Sequence, residues 1–148
     1  MGMKIVCVIT SSRADYGLLY WTLKELKKSQ NIKLKIIAAG MHFSKEHGHT
    51  YKEIIKDNFR IDYKVKFPNV SNSSKDLLNS LSVSINEFKK AYAHLNPDEI
   101  VLLGDRYEIF AASISASLSN IPIFHCHGGE VTYGSSDEYF RHCIQNYL

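Results

Sequence analysis

Two short strand-like runs, each ending in a polar turn, constrain the fold of this chain most. Ile100 to Leu103 (IVLL) feeds GDRYE, and Ile123 to Cys126 (IFHC), after Pro122, feeds His127, Gly128, Gly129 and Glu130. Ile100 to Leu103, short, continuous and apolar, suits a strand buried on both faces of a parallel sheet, and Ile123 to Cys126 is a second short apolar strand. Between the two runs, Tyr107 to Ser119 carries a helical pattern. Its Ala111, Ala112, Ala116 and interspersed serines leave little bulk, so this helix is expected to lie close against the sheet. Strand, helix and strand in this order imply a right-handed crossover. Both polar turns then fall at carboxyl ends of strands, where open α/β sheets collect their ligand-binding loops.

The rest of the chain repeats the alternation. Lys4 to Ile9 reads as a buried strand and runs into TSSRADYG, which opens a helix from about Tyr16 to Lys28. Leu18, Leu19, Leu23 and Leu26 supply the apolar spacing, with Lys24, Lys27 and Lys28 towards solvent and the negative end of the helix dipole. Ile32 to Ala39 is a second strand closed by Gly40, and the turn after it, MHFSKEHGH, is rich in histidine. Thr50 and Glu53 have the capping-box spacing for a short helix ending near Asn58. Asp62 to Lys66 reads as a third strand, and Phe67 to Ser74 as a loop, the segment expected to be most mobile. Lys75 to Leu95 is a helix by the spacing of Leu77, Leu78, Leu81, Ile85, Phe88 and Tyr92, stopped by Asn96 and Pro97. The last stretch, DEYFRHCIQNYL, starts as a helix with Asp137 and Glu138 in its acidic first turn, and looks cut rather than finished. The expected fold is α/β, a Rossmann-like, doubly wound parallel sheet of about five strands.

Composition narrows the classes. A chain of 148 residues, 45% hydrophobic and 22% charged, is in the range of one globular domain. Its net charge of +3, from 18 basic and 15 acidic residues spread along the chain, marks no nucleic-acid patch. No apolar run approaches the roughly 20 residues of a membrane span, and MGMKIVCVIT lacks a signal-peptide cleavage site, so a cytoplasmic protein is expected. Cys7, Cys126 and Cys143 form no CxxC, and no disulfide is expected.

Several residues invite chemistry, each with a plainer reading beside it. The first turn lacks GxGxxG, which argues against a dinucleotide. A helix N-terminus with free backbone N–H groups beside Arg13 is a reasonable anion site, and equally an ordinary capped turn with a solvated arginine. Asp105 and Arg106 sit at a strand end where ligands bind, or else form a helix cap with a surface ion pair. Gly128 and Gly129 let backbone approach a ligand, as they would in any tight turn. Glu130, Asp137, Arg141 and His142 would come near Asp105 if the last helix points its first turns at the HGGE loop. A metal reading rests on His125 and His127 on one side of a strand, His142 near Cys143, and the cluster of His42, His47 and His49. Cys126 would point away from its neighbours, and no ligand pairing has zinc-like spacing, so no metal is assigned.

Taken together, the strand followed by SSRADYGLL, then GMHFS, LLGDRYEIFAA, IPIFHCHGGEVTYG and DEYFRH occur in the order seen in the hydrolysing UDP-N-acetylglucosamine 2-epimerases. The chain resembles that family along essentially its whole length, and most closely its bacterial members that feed sialic-acid-type sugar synthesis. The resemblance implies a two-domain glycosyltransferase-B-like architecture, with residues 1–148 as the N-terminal domain and a C-terminal domain lying outside this chain. It implies a UDP-sugar substrate, either UDP-N-acetylglucosamine or the related UDP-diacetamido-trideoxy sugar, no metal or redox cofactor, and a homo-oligomeric complete enzyme. UDP would be lost across C1 and C2 to leave a glycal, which water and a proton convert to a free manno-configured sugar. By the same resemblance Asp105 and Asp137 match catalytic acids. Arg13, Arg106, Arg141 and His142 match substrate-binding positions, beside Gly128 and Gly129. His127 stands where several relatives carry a catalytic glutamate. Either His127 serves as the acid–base group, or Glu130 reaches in, or the proton transfers are divided differently. A non-catalytic UDP-sugar-binding module of the same fold is the alternative, and the acids gathered around one cleft favour the enzyme.

Overall fold

The computed structural model describes residues 2–67, 74–127 and 138–147. Its strands are β1 (Lys4–Thr10), β2 (Ile32–Ala39), β3 (Tyr63–Val65), β4 (Glu99–Leu103) and β5 (Ile123–Cys126). They form one sheet in the order β3-β2-β1-β4-β5, and every neighbouring pair is parallel. The chain walks outward from β1 to β3, crosses back, and continues from β4 to β5, so the winding reverses between β1 and β4. The helices are α1 (Arg13–Lys28), α2 (Tyr51–Lys56), α3 (Ser74–Leu95), α4 (Tyr107–Leu118) and α5 (Glu138–Tyr147).

Period-two alternation divides the sheet between two cores. Val6, Val8, Ile36 and Ala38 face α1 and α2, where Leu19, Leu23 and Ile54 are buried. Cys7, Ile9, Ile37 and Ile100 face the other way, against Phe88, Ala112 and Ile144 of α3, α4 and α5. The alanines of α4 allow the close approach expected of them: Ala111, Ala112 and Ala116 are fully buried. The Tyr92 hydroxyl donates to the Ala112 carbonyl at 2.9 Å, and the Ser115 hydroxyl to that of Ile85 at 2.9 Å. On α5, Phe140 meets Phe110 with ring centres 5.3 Å apart, which docks α5 on α4.

Several boundaries and faces differ from the sequence-based expectation. Helix α1 begins at Arg13, three residues early, because Ser12 and Asp15 close a capping box. Its buried face uses Tyr16, Leu19 and Leu23, and Leu18 is 65% exposed. Thr50 does not cap α2, since its hydroxyl is bonded to His42 instead. On α3 the three-and-four spacing through Phe88 and Tyr92 turns inward, whereas Leu78, about 100° further round the helix than Leu77, is exposed. The expected mobile loop falls largely at 68–73, outside the described residues. The three cysteines are free, and burial pushes the Cys7 thiol up to about 12. Among the described residues no helix is long and apolar enough to cross a membrane.

Candidate active site

The carboxyl ends of β1 and β4 meet where the winding reverses, the place at which an open α/β sheet leaves a crevice. On the β1 side, Asp15 turns back over the start of α1. Its carboxylate accepts from the Ser11 and Ser12 backbone N–H groups at 2.8 and 3.0 Å and from the hydroxyls of Ser11 and Thr10 at 2.9 and 2.5 Å. The Asp15 N–H is itself taken by Ser12 Oγ at 3.3 Å. The expectation of free backbone donors in this turn is thereby corrected at Ser11, Ser12 and Asp15, where an internal carboxylate and hydroxyl occupy them. The N–H groups of Arg13 and Ala14 are not among those occupied, and the Arg13 side chain is 74% exposed, with its Nε 3.1 Å from Glu53 Oε1 on α2.

On the β4 side, Gly104 turns the chain with φ of +87°, a conformation that favours glycine. The next residues are Asp105, Arg106, Tyr107 and Glu108. Arg106 lies flat against Glu108 through Nε–Oε2 and Nη2–Oε1 contacts of 3.1 and 3.2 Å. Glu108 is fully buried, and burial raises its carboxyl above the usual range against the opposing pull of Arg106. Burial and the neighbouring Glu108 push the Tyr107 phenol up as well. Arg141, buried on the first turns of α5, donates to Asp105 Oδ2 through Nε at 2.8 Å and through Nη2. Of the four residues expected near Asp105, Arg141 thereby meets it.

Arg13 and Arg106 line one open cleft of about 300 Å³ with Ser12, Ala14, Met41, His47 and Thr50. The cleft continues past Met41 and His47 into a second space of about 230 Å³ bordered by Gly40, Phe67, Tyr107 and Glu108. Gly40 suits that place. Its φ is +53°, and a Cβ would stand 2.9 Å from the Phe67 ring. The site thus sets two cations over a cleft, and the residue before the second of them, Asp105, is clamped by a third arginine. The model of the UDP-N-acetylglucosamine 2-epimerase family matches residues 24–147. The chain belongs to that family. Among its relatives, polysialic acid biosynthesis protein P7 of Escherichia coli is 39% identical over 142 residues, which are 96% of this chain and 36% of that protein. The hydrolysing GDP/UDP-N,N'-diacetylbacillosamine 2-epimerase of Campylobacter jejuni is 37% identical over 144 residues, 97% of this chain and 37% of that one. The crystal structure of the Neisseria meningitidis UDP-GlcNAc 2-epimerase bound to UDP-GlcNAc shares the fold with a TM-score of 0.81 at 21% identity, over 98% of this chain and 38% of that one. The chain therefore spans little more than a third of the length of these relatives.

In this epimerase-family chain, the remaining expected site residues divide in two. His127 closes β5 with φ of +57°, and His142 is exposed on α5, one residue beyond Arg141. Gly128, Gly129, Glu130 and Asp137 lie outside the described residues. The histidines set aside as metal candidates have other partners. His125 Nε2 donates to the Gly104 carbonyl at 2.6 Å, His47 pairs with Ser44 Oγ at 3.1 Å, and His42 is buried between Thr10 and Thr50. Among the described residues no group of three or more His, Cys, Asp or Glu side chains is placed to hold a metal ion. Sequence reasoning missed Asp15 and Glu108 as parts of the site, and offered His42 only as a metal candidate. The S-x-x-D spacing of Ser12 and Asp15 was a usable signal for Asp15. Glu108 in the first turn of a helix at a ligand-binding edge was another. The histidine cluster marked His42 only as a metal candidate, and nothing local marked its threonine partners, which are 32 positions before it and 8 after.

Proposed function

We propose that this segment is the N-terminal domain of a hydrolysing epimerase whose substrate is a UDP-linked 2-acetamido sugar, with a second domain closing the cleft. The reading is carried by Asp105, held by Arg141 at the switch point beside a cleft that Arg13 and Arg106 share. A reaction that removes a poorly acidic C–H and expels a diphosphate needs a positioned base and positive charge around the leaving group. A carboxylate takes the C2 proton, the C2–H electron pair forms the C1–C2 double bond, and the C1–O bond breaks to release UDP. Water then adds its oxygen at C1 while a proton returns to C2 on the other face, giving UDP and the free manno-configured sugar.

In this assignment Asp105 is a proton-transferring carboxylate. Arg141 donates to Oδ2 through Nε and Nη2, which holds the carboxylate and leaves Oδ1 for the proton. Asp137 is the second acid, and His127 or Glu130 supplies the remaining transfer. Arg13 and Arg106 meet the diphosphate, with Gly128, Gly129 and His142 around the sugar. The name of the Escherichia coli relative supports a product used for sialic-acid-type sugars, and that of the Campylobacter jejuni relative supports a hydrolysing 2-epimerase. The complete protein, turning over its UDP-sugar in deuterium oxide, is expected to release UDP and to place one deuterium at C2 of the product. Product without a C2 label would overturn the elimination mechanism.

A further inference from the structure

We propose that His42 is a positioning residue for this reaction, bracing Arg13 from two sides so that its guanidinium is held ready for the diphosphate. The proposal rests on the reading of Arg13 as a diphosphate contact. His42 is fully buried, yet both ring nitrogens are bonded, Nε2 to Thr10 Oγ1 at 2.9 Å and Nδ1 to Thr50 Oγ1 at 2.8 Å. Thr10 Oγ1 also lies 2.5 Å from Asp15 Oδ1, and a carboxylate oxygen only accepts. Thr10 therefore gives its single proton to Asp15 and must receive from His42, which puts the ring proton on Nε2. In a neutral ring Nδ1 is then an acceptor, and Thr50 donates to it. The bonds run in one direction: Thr50 to His42, His42 to Thr10, Thr10 to Asp15.

Each end of that chain holds one end of Arg13. Asp15 gathers the N–H groups of Ser11 and Ser12 and so fixes the backbone turn from which Arg13 departs. Thr50 precedes α2, on which Glu53 receives Arg13 Nε at 3.1 Å, leaving the terminal nitrogens for an oxyanion. An exposed ion pair contributes little by itself in water, and an exposed arginine spreads over many rotamers. Holding the root and the partner of Arg13 rigid reduces the ordering that substrate binding would otherwise require. His42 connects the two through Thr10 and Thr50, and a second tie runs from the Tyr16 hydroxyl on α1 to Asp57 Oδ2 at the end of α2, 2.8 Å away. The position of His42 in the turn after β2 places it between β1 and α2, where neither can move without disturbing the ring.

The test uses the complete protein, with Arg13→Gln, His42→Gln, Thr50→Val and Thr50→Ser as single variants and His42→Gln combined with Arg13→Gln. His42→Gln and Thr50→Val are expected to raise KM for the UDP-sugar by about tenfold, the factor that corresponds to about 1.4 kcal/mol, with kcat within about threefold. Thr50→Ser keeps the hydroxyl and should restore KM, which a purely steric role for Thr50 would not predict. In the Arg13→Gln background the His42→Gln effect should vanish, because the two act through one contact. A nitrogen-15 spectrum of histidine-labelled protein should show the His42 proton on Nε2. If Arg13→Gln leaves KM unchanged, the diphosphate reading fails and the proposal fails with it. If Arg13→Gln raises KM while Thr50→Val, folded and thermally stable, does not, the diphosphate reading stands and the bracing role is overturned. Additive effects in the double variant, or a proton on Nδ1, would overturn it too.

Discussion

Asp105 and Arg141 are 36 positions apart and meet only because α5 packs on α4. The residue-scale expectation is that Asp105→Asn, which keeps the side-chain shape and removes its basicity, lowers kcat of the complete protein by about 100-fold or more. Turnover within about threefold of wild type would leave Asp105 as a structural partner of Arg141 alone. His42 carries a second expectation, about pH. Burial lowers its proton affinity below the ordinary histidine value, with the charges of Asp15 and Glu53 opposing that shift. A histidine held neutral in the folded state contributes stability that is present above its unfolded value and lost as pH falls below about 6.5. The denaturation midpoint should therefore drop between pH 7.5 and pH 5.5, and His42→Gln should flatten that particular fall.

At the scale of elements, caps separate the two helices that flank the β1 turn. Ser12 and Asp15 satisfy each other's backbone donors at the start of α1, whereas the Thr50 hydroxyl gives α2 no cap bond. Ser12→Ala should cost about 1 kcal/mol, the usual loss for an N-cap hydroxyl, read as a lower denaturant midpoint with unchanged slope. The misplaced start of α1 has the same origin. Asp15 in the TSSRADYG run looked like turn composition, but its carboxylate reaches back three residues and lets helical geometry begin at Arg13. Strand limits were easier to read. β2 and β5 begin and end as their apolar runs and flanking Gly40 and Pro122 suggested, and β4 gains only Glu99; β4 is buried through its middle, whereas β5 is an edge strand with Phe124 58% exposed.

For the whole molecule, the five-stranded sheet supplies one wall of a cleft. Arg13 and Arg106 line an open space of about 300 Å³, and exposed charge contributes little in water without a second wall to exclude it. If the second domain expected from the family resemblance holds the uridine, the 148-residue chain alone should bind UDP weakly and show no measurable epimerase activity. Calorimetric titration with UDP checks this, and low-micromolar dissociation would place the nucleotide on this domain instead.

The sequence by itself determined the alternation of strands and helices, the parallel doubly wound class, and the two turns at which Asp105, Arg106 and His127 are placed. These follow from local patterns, since apolar periodicity and glycine or proline punctuation act over a few residues. It also carried the order of motifs that marks the family. Only the tertiary structure decided which polar groups meet. Arg141 closes on Asp105, Glu108 goes inside to face Arg106, and His42 joins Thr10 to Thr50, because buried polar groups must find partners wherever packing brings them. Those partners are set by how helices seat on the sheet, and no spacing along the chain encodes that.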